Sequence, residues 1–232
     1  MKPLLLGAVL ATIVIFGGAV AGLRIGILEL PGSATTPSGP ATTRAPARAT
    51  AVPGPLKSGT WQVIGPSWVG YSIGETTFLG TGTVTGRTTT VSGSGILAGT
   101  SGGFSLSGST FSADLRSLSS GDPFGDQQVQ AALGTSQFPT ATFDQAGSIA
   151  LPPASALAAG VTVAIPGRVT LRGQSHAVTV PATVSFTGGH LVVIGSIPFR
   201  LSSFGITPGA FGGLVTLSDA ASLNLSIVLA RG

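Results

Sequence analysis

Between residues 109 and 143 the spacing of the apolar residues changes twice, and this change most limits the folds open to the chain. In the first part, Phe111, Ala113 and Leu115 alternate with polar residues, so their side chains share one face of a strand. The alternation stops and begins again at residues 138–143. The segment therefore predicts two strands joined by a short element of another kind.

The joining element is predicted to be a helix over residues 122–134. The carboxylate of Asp122 can accept hydrogen bonds from the free N–H groups of a first turn, and Pro123 has the backbone φ suited to the first helical position. Gly134 is the residue type that commonly ends a helix. Because a helix of about three turns is not stable alone, we expect it to lie as a lid over the open end of a barrel.

The rest of the chain from residue 60 is predicted to consist of strands and tight turns. Its 36 glycines, its many threonines and serines and its 8% of charged residues favour strands over helices. Residues 60–64 and 68–73 are predicted as two short strands separated by a turn at Gly65-Pro66. Gly108 lies where the apolar phase shifts, which indicates a β-bulge. About eight to ten antiparallel strands result, and closure into a barrel would remove their exposed edges.

The clearest predicted hairpin reverses at Gly173-Gln174, with alternating valines on both sides of the turn. Together with the strands around residues 111 and 143, it defines a set of side chains that should face the interior. These candidate ligand-binding residues are Phe111, Phe143, Val169, Leu171, Val178, Val180, Val184 and Phe186. The pattern alone is compatible with an interior that they fill and with one that they line.

The N-terminal residues predict a membrane anchor followed by a linker. No charged residue occurs from residue 3 to residue 23, a length sufficient for a helix of roughly 30 Å, so residues 1–30 are predicted to form a single-pass anchor. The alternative is a signal peptide cleaved after Ala21, which would make the protein secreted. Residues 31–57 are rich in Pro, Ala and Thr and predict an extended linker, which leaves 58–232 for the barrel. We expect that domain to lie outside the cytoplasmic membrane.

The charges do not indicate binding to nucleic acid. The net charge of +4 comes entirely from the first 57 residues, while the remainder carries six arginines against six acidic residues. A neutral domain lacks the basic surface that phosphate backbones require. The chain has no cysteine and only two histidines, so neither a metal site of the usual kind nor a cofactor is predicted.

Two local motifs resemble catalytic or nucleotide-binding patterns but lack the required context. Ser72 lies in a Gly-x-Ser-x-Gly pattern, yet a nucleophile elbow needs a helix directly after the strand, and none is predicted there. The glycines at 93 and 95 imitate a dinucleotide-binding loop without the helix that would bind a pyrophosphate. Catalysis by Ser72 is kept only as a distant alternative, and we expect no enzymatic activity.

Three segments, taken together, resemble the YceI-like family. They are residues 109–122 (STFSADLRSLSSGD), 137–143 (QFPTATF) and 167–181 (GRVTLRGQSHAVTVP). Residues 61–63 and 69–72 fit the opening strands of that family, so the resemblance covers nearly all of residues 60–230. It implies an extracytoplasmic, lipocalin-like antiparallel barrel whose apolar interior holds a polyisoprenoid or another long-chain amphiphile.

The chain departs from the family pattern at three polar positions. Phe124-Gly125-Asp126 retains an acid before the helix but lacks the arginine that usually accompanies it. Ser203 stands before Phe204-Gly205-Ile206 where similar sequences tend to have an acid, and Asn224 replaces a late glutamate. If those charges orient a head group in relatives, this protein should prefer a less charged ligand or depend more on apolar contact.

The leading hypothesis is therefore an all-β, membrane-tethered barrel that binds a polyisoprenoid or other long-chain lipid by desolvation, without covalent chemistry. The first alternative is a tethered, non-catalytic scaffold or adhesion module with a filled core. The second is a serine hydrolase. The sequence leaves open the identity of the lipid, any partner protein and whether the domain forms a homodimer.

Overall fold

The computed structural model describes residues 55–208, 210–211 and 215–232, and these ranges contain eleven β-strands. The strands are β1 Gly59–Thr77, β2 Gly80–Thr88, β3 Val91–Thr100, β4 Gly103–Asp114, β5 Thr140–Gln145, β6 Ser148–Leu151, β7 Val161–Leu171, β8 Gln174–Thr187, β9 His190–Arg200, β10 Ala210–Phe211 and β11 Val215–Arg231. The helices are α1 Pro123–Leu133 and α2 Ala154–Leu157, with 3-10 helices at Leu115–Ser117 and Leu201–Phe204.

The predicted anchor at residues 1–30 and nearly all of the predicted linker lie outside the described residues. Within the described ranges, no helix combines the length and apolar character that crossing a bilayer requires.

The strands form a closed antiparallel barrel, as predicted. Neighbours in the wall follow the order β11-β9-β8-β7-β5-β4-β3-β1, and pairing of β1 with β11 closes the ring. The wall therefore has eight positions. β2 and β3 pair with successive parts of the same edge of β1 and count as one position, and β5 and β6 do the same along β4. The closed ring leaves few unpaired backbone groups along its edges.

The first strand differs from the prediction. Residues 59–77 form one long strand, not two, with an irregularity between Ile64 and Trp68. Ser67, whose exposed fraction is 3%, bridges this gap: its hydroxyl accepts from the Val228 N–H at 2.9 Å and donates to the Ile64 carbonyl at 2.6 Å. A side chain thus replaces the missing backbone partner, and β1 continues through a Gly-Pro pair that usually ends a strand.

The bulge predicted at Gly108 is confirmed. Gly108 has a φ of 60°, and the pairing of β3 with β4 shifts so that Gly108 and Ser109 together lie opposite Gly95. If these residues alternated regularly without the bulge, Leu106 inside would place Phe111 outside, because the two are five positions apart; the bulge restores Phe111 to the inner face.

The helix predicted near residues 122–134 is also confirmed. The Asp122 carboxylate accepts from the Phe124 N–H at 3.1 Å, and Gly134 ends the helix with a φ of 64°. Ala132 and Leu133 are partly buried and pack against the barrel core, so α1 lies on the barrel, and its role as a lid stays a prediction. No residue of α1 is fully buried, and its polar contact with the barrel runs from Gln130 to the carbonyls of Arg116 and Leu118, beside the first 3-10 helix.

The two ends of the barrel differ in packing. At the end where β1 begins, called here the closed end, Trp61 meets Phe186 edge to face at 6.3 Å, and Leu157 of α2 is completely buried. Leu56 is buried in the same core, so the described chain joins the barrel at the closed end. The other end, called the α1 end, includes both 3-10 helices and α1.

Asp126 orders the loop that leads into α1. Its carboxylate accepts from the Ser120 N–H at 2.7 Å, from the Ser120 hydroxyl at 2.6 Å and from the Ser119 hydroxyl at 2.7 Å. Partial burial would raise the pKa of Asp126, but these hydrogen bonds outweigh it and lower the pKa below the usual 3.8.

We therefore expect Asp126→Asn to lower the free energy of unfolding by about 1 kcal/mol at neutral pH. Because the folded-state pKa is lowered, the contribution is complete above about pH 5 and is lost as the pH falls through the folded-state value. Urea unfolding of both proteins from pH 7 to pH 3 should show the difference shrinking toward acid. Asp144→Asn, at an exposed strand position, is the control. A constant difference at all pH values would contradict the assignment.

Candidate functional site

The barrel encloses an apolar cavity of about 80 Å³ on its axis. Strands from all eight wall positions line it, with Val69, Val91, Leu106, Ser109, Phe111, Ser112, Ala113, Ala141, Thr142, Phe143, Ile165, Val169, Val180, Val193, Ile197, Leu223, Leu225, Ile227 and Leu229. A second cavity of about 20 Å³ lies toward the α1 end. Val169, Ile197 and Leu223 line both cavities, so these three side chains lie between the two spaces.

Glycines that face the axis keep this space from being filled by the two phenylalanine rings. Phe111 and Phe143 are paired across β4 and β5, and their rings stack with centroids 6.4 Å apart. A Cβ on Gly93 would lie 2.7 Å from Cδ1 of Phe111, and one on Gly167 would overlap the ring of Phe143. Because neither glycine has a side chain, both rings lie against the wall and do not project toward the axis.

Tyr71 repeats the arrangement beside β2. A Cβ on Gly86 would lie 2.6 Å from the Tyr71 ring, so this ring also covers a glycine. Burial, together with the nearby negative charge of Asp126, raises the pKa of Tyr71 to about 12. The phenol therefore remains neutral at any physiological pH and adds no charge to the interior.

The eight sequence-predicted residues all face inward but fall into four groups. Phe111, Phe143 and Val180 line the main cavity, Leu171 and Val178 line the second, and Val169 lines both. Val184 and Phe186 line neither, because they belong to the packed core toward the closed end. Sequence reasoning missed Ile197, Leu223 and the inward glycines, although their odd-numbered alternation along β9, β11 and β3 was a usable signal.

Phe204 of the second 3-10 helix, and not α1, bounds the cavities at the α1 end. Its buried ring lines the second cavity and meets the exposed ring of His176 at 4.8 Å and the ring of Phe199 at 5.7 Å. Arg172, in the β7–β8 turn, donates from Nη1 to the carbonyl of Gly205. Residues 201–206 therefore bound the second cavity at the α1 end, and the lid role of α1 stays a prediction.

Two of the three polar positions that depart from the family pattern, Ser203 and Asn224, lie outside the interior. Asn224 alternates with the inward Leu223 and Leu225; its amide donates to Ser72 at 3.0 Å and accepts from Ser196 at 2.8 Å, which joins three strands on the outer wall. Ser203 is exposed beside Phe204. Neither side chain is placed to orient a ligand within the cavity.

The environment of Ser72 does not match a hydrolase. Ser72 lies within β1, paired with Ser222 of β11, and not in a strand-to-helix turn. Its hydroxyl is held by Asn224, and the described residues contain no cluster of three metal-ligating side chains.

A larger depression of about 430 Å³ lies on the outer wall around Trp68, Ile194 and Asn224. It is shallow and open to water, and it includes side chains from the outward phase of their strands. A long apolar chain there would keep one side hydrated, so the smaller enclosed cavity is the better apolar site.

Comparison with known proteins agrees with this architecture. The YceI-like domain profile matches residues 66–229. The fold is similar to a polyisoprenoid binding domain from Saccharophagus degradans implicated in plant cell wall breakdown, with a TM-score of 0.57 and 13% identity over 76% of this chain and 100% of that one. It is also similar to BcnA from Burkholderia cenocepacia, with a TM-score of 0.52 and 22% identity over 70% of this chain and 95% of that one. No curated protein sequence matches the chain.

Gly167→Ala should destabilise the barrel by about 1–3 kcal/mol, because the new methyl group and the Phe143 ring require the same space. Adding Phe143→Leu should restore part of the loss, since the smaller side chain no longer covers residue 167, while the Asp144 carbonyl, 2.7 Å from the added Cβ, still must shift. Gly102→Ala, where an added Cβ meets nothing within 4 Å, is the control and should change stability by less than about 0.5 kcal/mol. Urea unfolding measures these proteins and Phe143→Leu alone, and purely additive effects of the two substitutions in the double variant would refute the ring-on-glycine contact.

Proposed function

Because this chain belongs to the YceI-like family, we propose that its barrel binds a polyisoprenoid or another long-chain amphiphilic lipid without catalysing a reaction. The observation that carries the proposal is the apolar cavity on the barrel axis, held open by rings that lie on glycines. The fold shared with the Saccharophagus degradans polyisoprenoid binding domain supports it. Burial of about ten CH₂ groups would contribute on the order of 8 kcal/mol before ordering costs.

The cavity volume limits how such a ligand could bind. The cavity volume of about 80 Å³ is smaller than the roughly 300–1,000 Å³ of typical ligand pockets. We propose that a single linear chain extends along the axis and displaces Val169, Ile197 and Leu223, the side chains that separate the two cavities. Rotation of these three residues would join both spaces into one channel toward the α1 end.

The same small volume favours the second candidate, a non-catalytic scaffold whose interior is effectively filled. The two functions are separated by whether the purified protein contains or takes up lipid. Mass spectrometry of an organic extract of the protein from its native membrane should find an enriched long-chain lipid. Absence of lipid from the extract, together with no uptake of polyprenols or fatty acyl amides by the lipid-free protein, would favour the scaffold.

Ala141→Leu should reduce lipid affinity by tenfold or more, because Ala141 lines the cavity and a larger side chain would occupy the space of the ligand. Ala113→Val, directly across from it on β4, should have a smaller effect in the same direction. Ala177→Leu adds the same volume at an exposed position of β8 and is the control.

Titration with a fluorescent polyprenol analogue measures the affinities, and thermal unfolding confirms that each variant is folded. Equal affinity of folded Ala141→Leu and the unsubstituted protein would place the ligand elsewhere.

We also propose that residues 1–30 anchor the protein in the cytoplasmic membrane, with the barrel outside the cytoplasm at the end of the linker 31–57. The charge-free run from residue 3 to residue 23 supports the anchor. A tether preceding Leu56 would join the barrel at its closed end. A homodimer would be compatible with this arrangement.

Full-length protein should remain in the membrane fraction after a carbonate wash, and a chain lacking residues 1–30 should be released, because the apolar segment alone would hold the protein in the bilayer. Protease added to intact spheroplasts should remove the barrel. A mature protein that begins at residue 22 would instead establish cleavage and secretion, and protection of the barrel from protease would refute the proposed orientation.

A further inference from the structure

Ser109 places a hydroxyl with no hydrogen-bond partner at the wall of the apolar cavity. Its exposed fraction is 2%, and among the described residues its Oγ is the single buried side-chain polar atom without a partner. Buried polar atoms are nearly always paired, because an unpaired one loses its hydration without compensation. This hydroxyl therefore calls for an explanation that the fold alone does not supply.

The surrounding backbone holds Ser109 at this position. The bulge at Gly108 turns it inward, and its N–H donates to Oε1 of Gln145 at 3.3 Å. The Gln145 amide is itself fixed, since it donates to the Leu106 carbonyl at 2.9 Å. A Cβ on Gly95, across the bulge, would lie 2.6 Å from the Ser109 hydroxyl oxygen, so the absence of a side chain at residue 95 provides the room for it.

A trapped water is a poor partner for this hydroxyl. A buried water typically needs two to four polar neighbours, whereas the cavity wall beside Ser109 is formed by Leu106, Phe111 and other apolar side chains. The other polar residues beside the cavity are Ser112 and Thr142. They lie opposite each other on β4 and β5, at strand positions whose side chains alternate with the inward ones and point outward. An oxygen atom of a bound ligand is the better partner.

We propose that Ser109 forms a hydrogen bond with a neutral oxygen group of the bound lipid, a hydroxyl or a carbonyl, deep within the barrel. This inference rests on the proposed lipid-binding function and specifies the ligand class for the same site. The group is neutral because, among the described residues, none of those lining either cavity is charged. A phosphate or carboxylate would be buried there without a counter-charge, at a high cost in solvation.

The position of Ser109 also gives the orientation of the ligand. Ser109 lies five residues before Asp114, the last residue of β4 at the α1 end. At about 3.4 Å per residue this is roughly 17 Å along the strand, or about 13 Å along the axis of a barrel whose strands tilt by about 40°. The oxygen group therefore enters first, and the apolar tail extends back toward Phe204 and the α1 end. A head group left at the mouth would not reach the hydroxyl.

The test compares three ligands and three forms of the full-length protein. The ligands are a long-chain isoprenoid alcohol, the hydrocarbon with the same skeleton and the phosphate monoester of the alcohol. The proteins are the unsubstituted chain, Ser109→Ala and Thr110→Ala, the last removing a neighbouring hydroxyl that faces outward. Competition against a fluorescent polyprenol analogue gives each affinity, and thermal unfolding of the lipid-free proteins gives their stability.

Ser109→Ala should weaken binding of the alcohol about five- to tenfold and leave binding of the hydrocarbon unchanged, because only the hydrogen bond is lost. The phosphate should bind the unsubstituted protein more weakly than the alcohol does. Thr110→Ala should alter neither. Lipid-free Ser109→Ala should unfold at the same or a higher temperature, since the hydroxyl has no partner to lose.

Equal loss of alcohol and hydrocarbon binding in Ser109→Ala, or no loss of either, would overturn the inference while the proposed lipid binding stands. A clear fall in the unfolding temperature of the lipid-free variant would also overturn it, because the hydroxyl would then already be paired within the protein. Failure of all three ligands to bind the unsubstituted protein would remove the proposed function itself.

Discussion

The interior of this barrel depends on glycines that face the axis next to large side chains. In a barrel of eight wall positions, inward side chains are usually sufficient to fill the centre. Here Tyr71, Phe111 and Phe143 lie on Gly86, Gly93 and Gly167, so three rings cover the wall and not the axis. A single Cβ at any of these glycines would push a ring inward, and the enclosed space is small enough that one ring would fill it.

The two ends of the barrel are stabilised in different ways, and this difference supports a direction for ligand exchange. The closed end is a dense apolar core around Trp61 and Leu157. The α1 end combines polar contacts of Gln130, Arg172 and Asp126 with loops and a buried apolar set, Leu115, Leu118, Leu201, Phe204 and Ile206. The second cavity extends the interior toward this end, which makes it the expected side for ligand exchange.

Features with a local cause could be predicted from the sequence. The helix start at Asp122, its end at Gly134 and the bulge at Gly108 each depend on a few neighbouring residues, and all three are confirmed. The break predicted at Gly65-Pro66 was wrong because the contact that keeps β1 continuous comes from a distant part of the chain. Ser67 forms its bridging hydrogen bond with Val228, 161 residues later. The place of residues 201–206 beside the second cavity could not be predicted either, because it depends on the pairing of β9 with β11.

The sequence by itself determined the alternation of the strands and which side chains face inward, because a period of two in each strand is a property of neighbouring residues. Closure into an antiparallel barrel was predicted from the need to cover strand edges, and the pairing of β1 with β11 provides it. Only the tertiary structure decided whether those inward side chains fill the barrel or line it. That outcome depends on register, which places Gly93 beside Phe111 and Gly95 beside Ser109 on adjacent strands. Register is set by pairing between segments that are distant in the sequence. The space beside a side chain therefore depends on the neighbouring strand and not on the residues next to it in the chain.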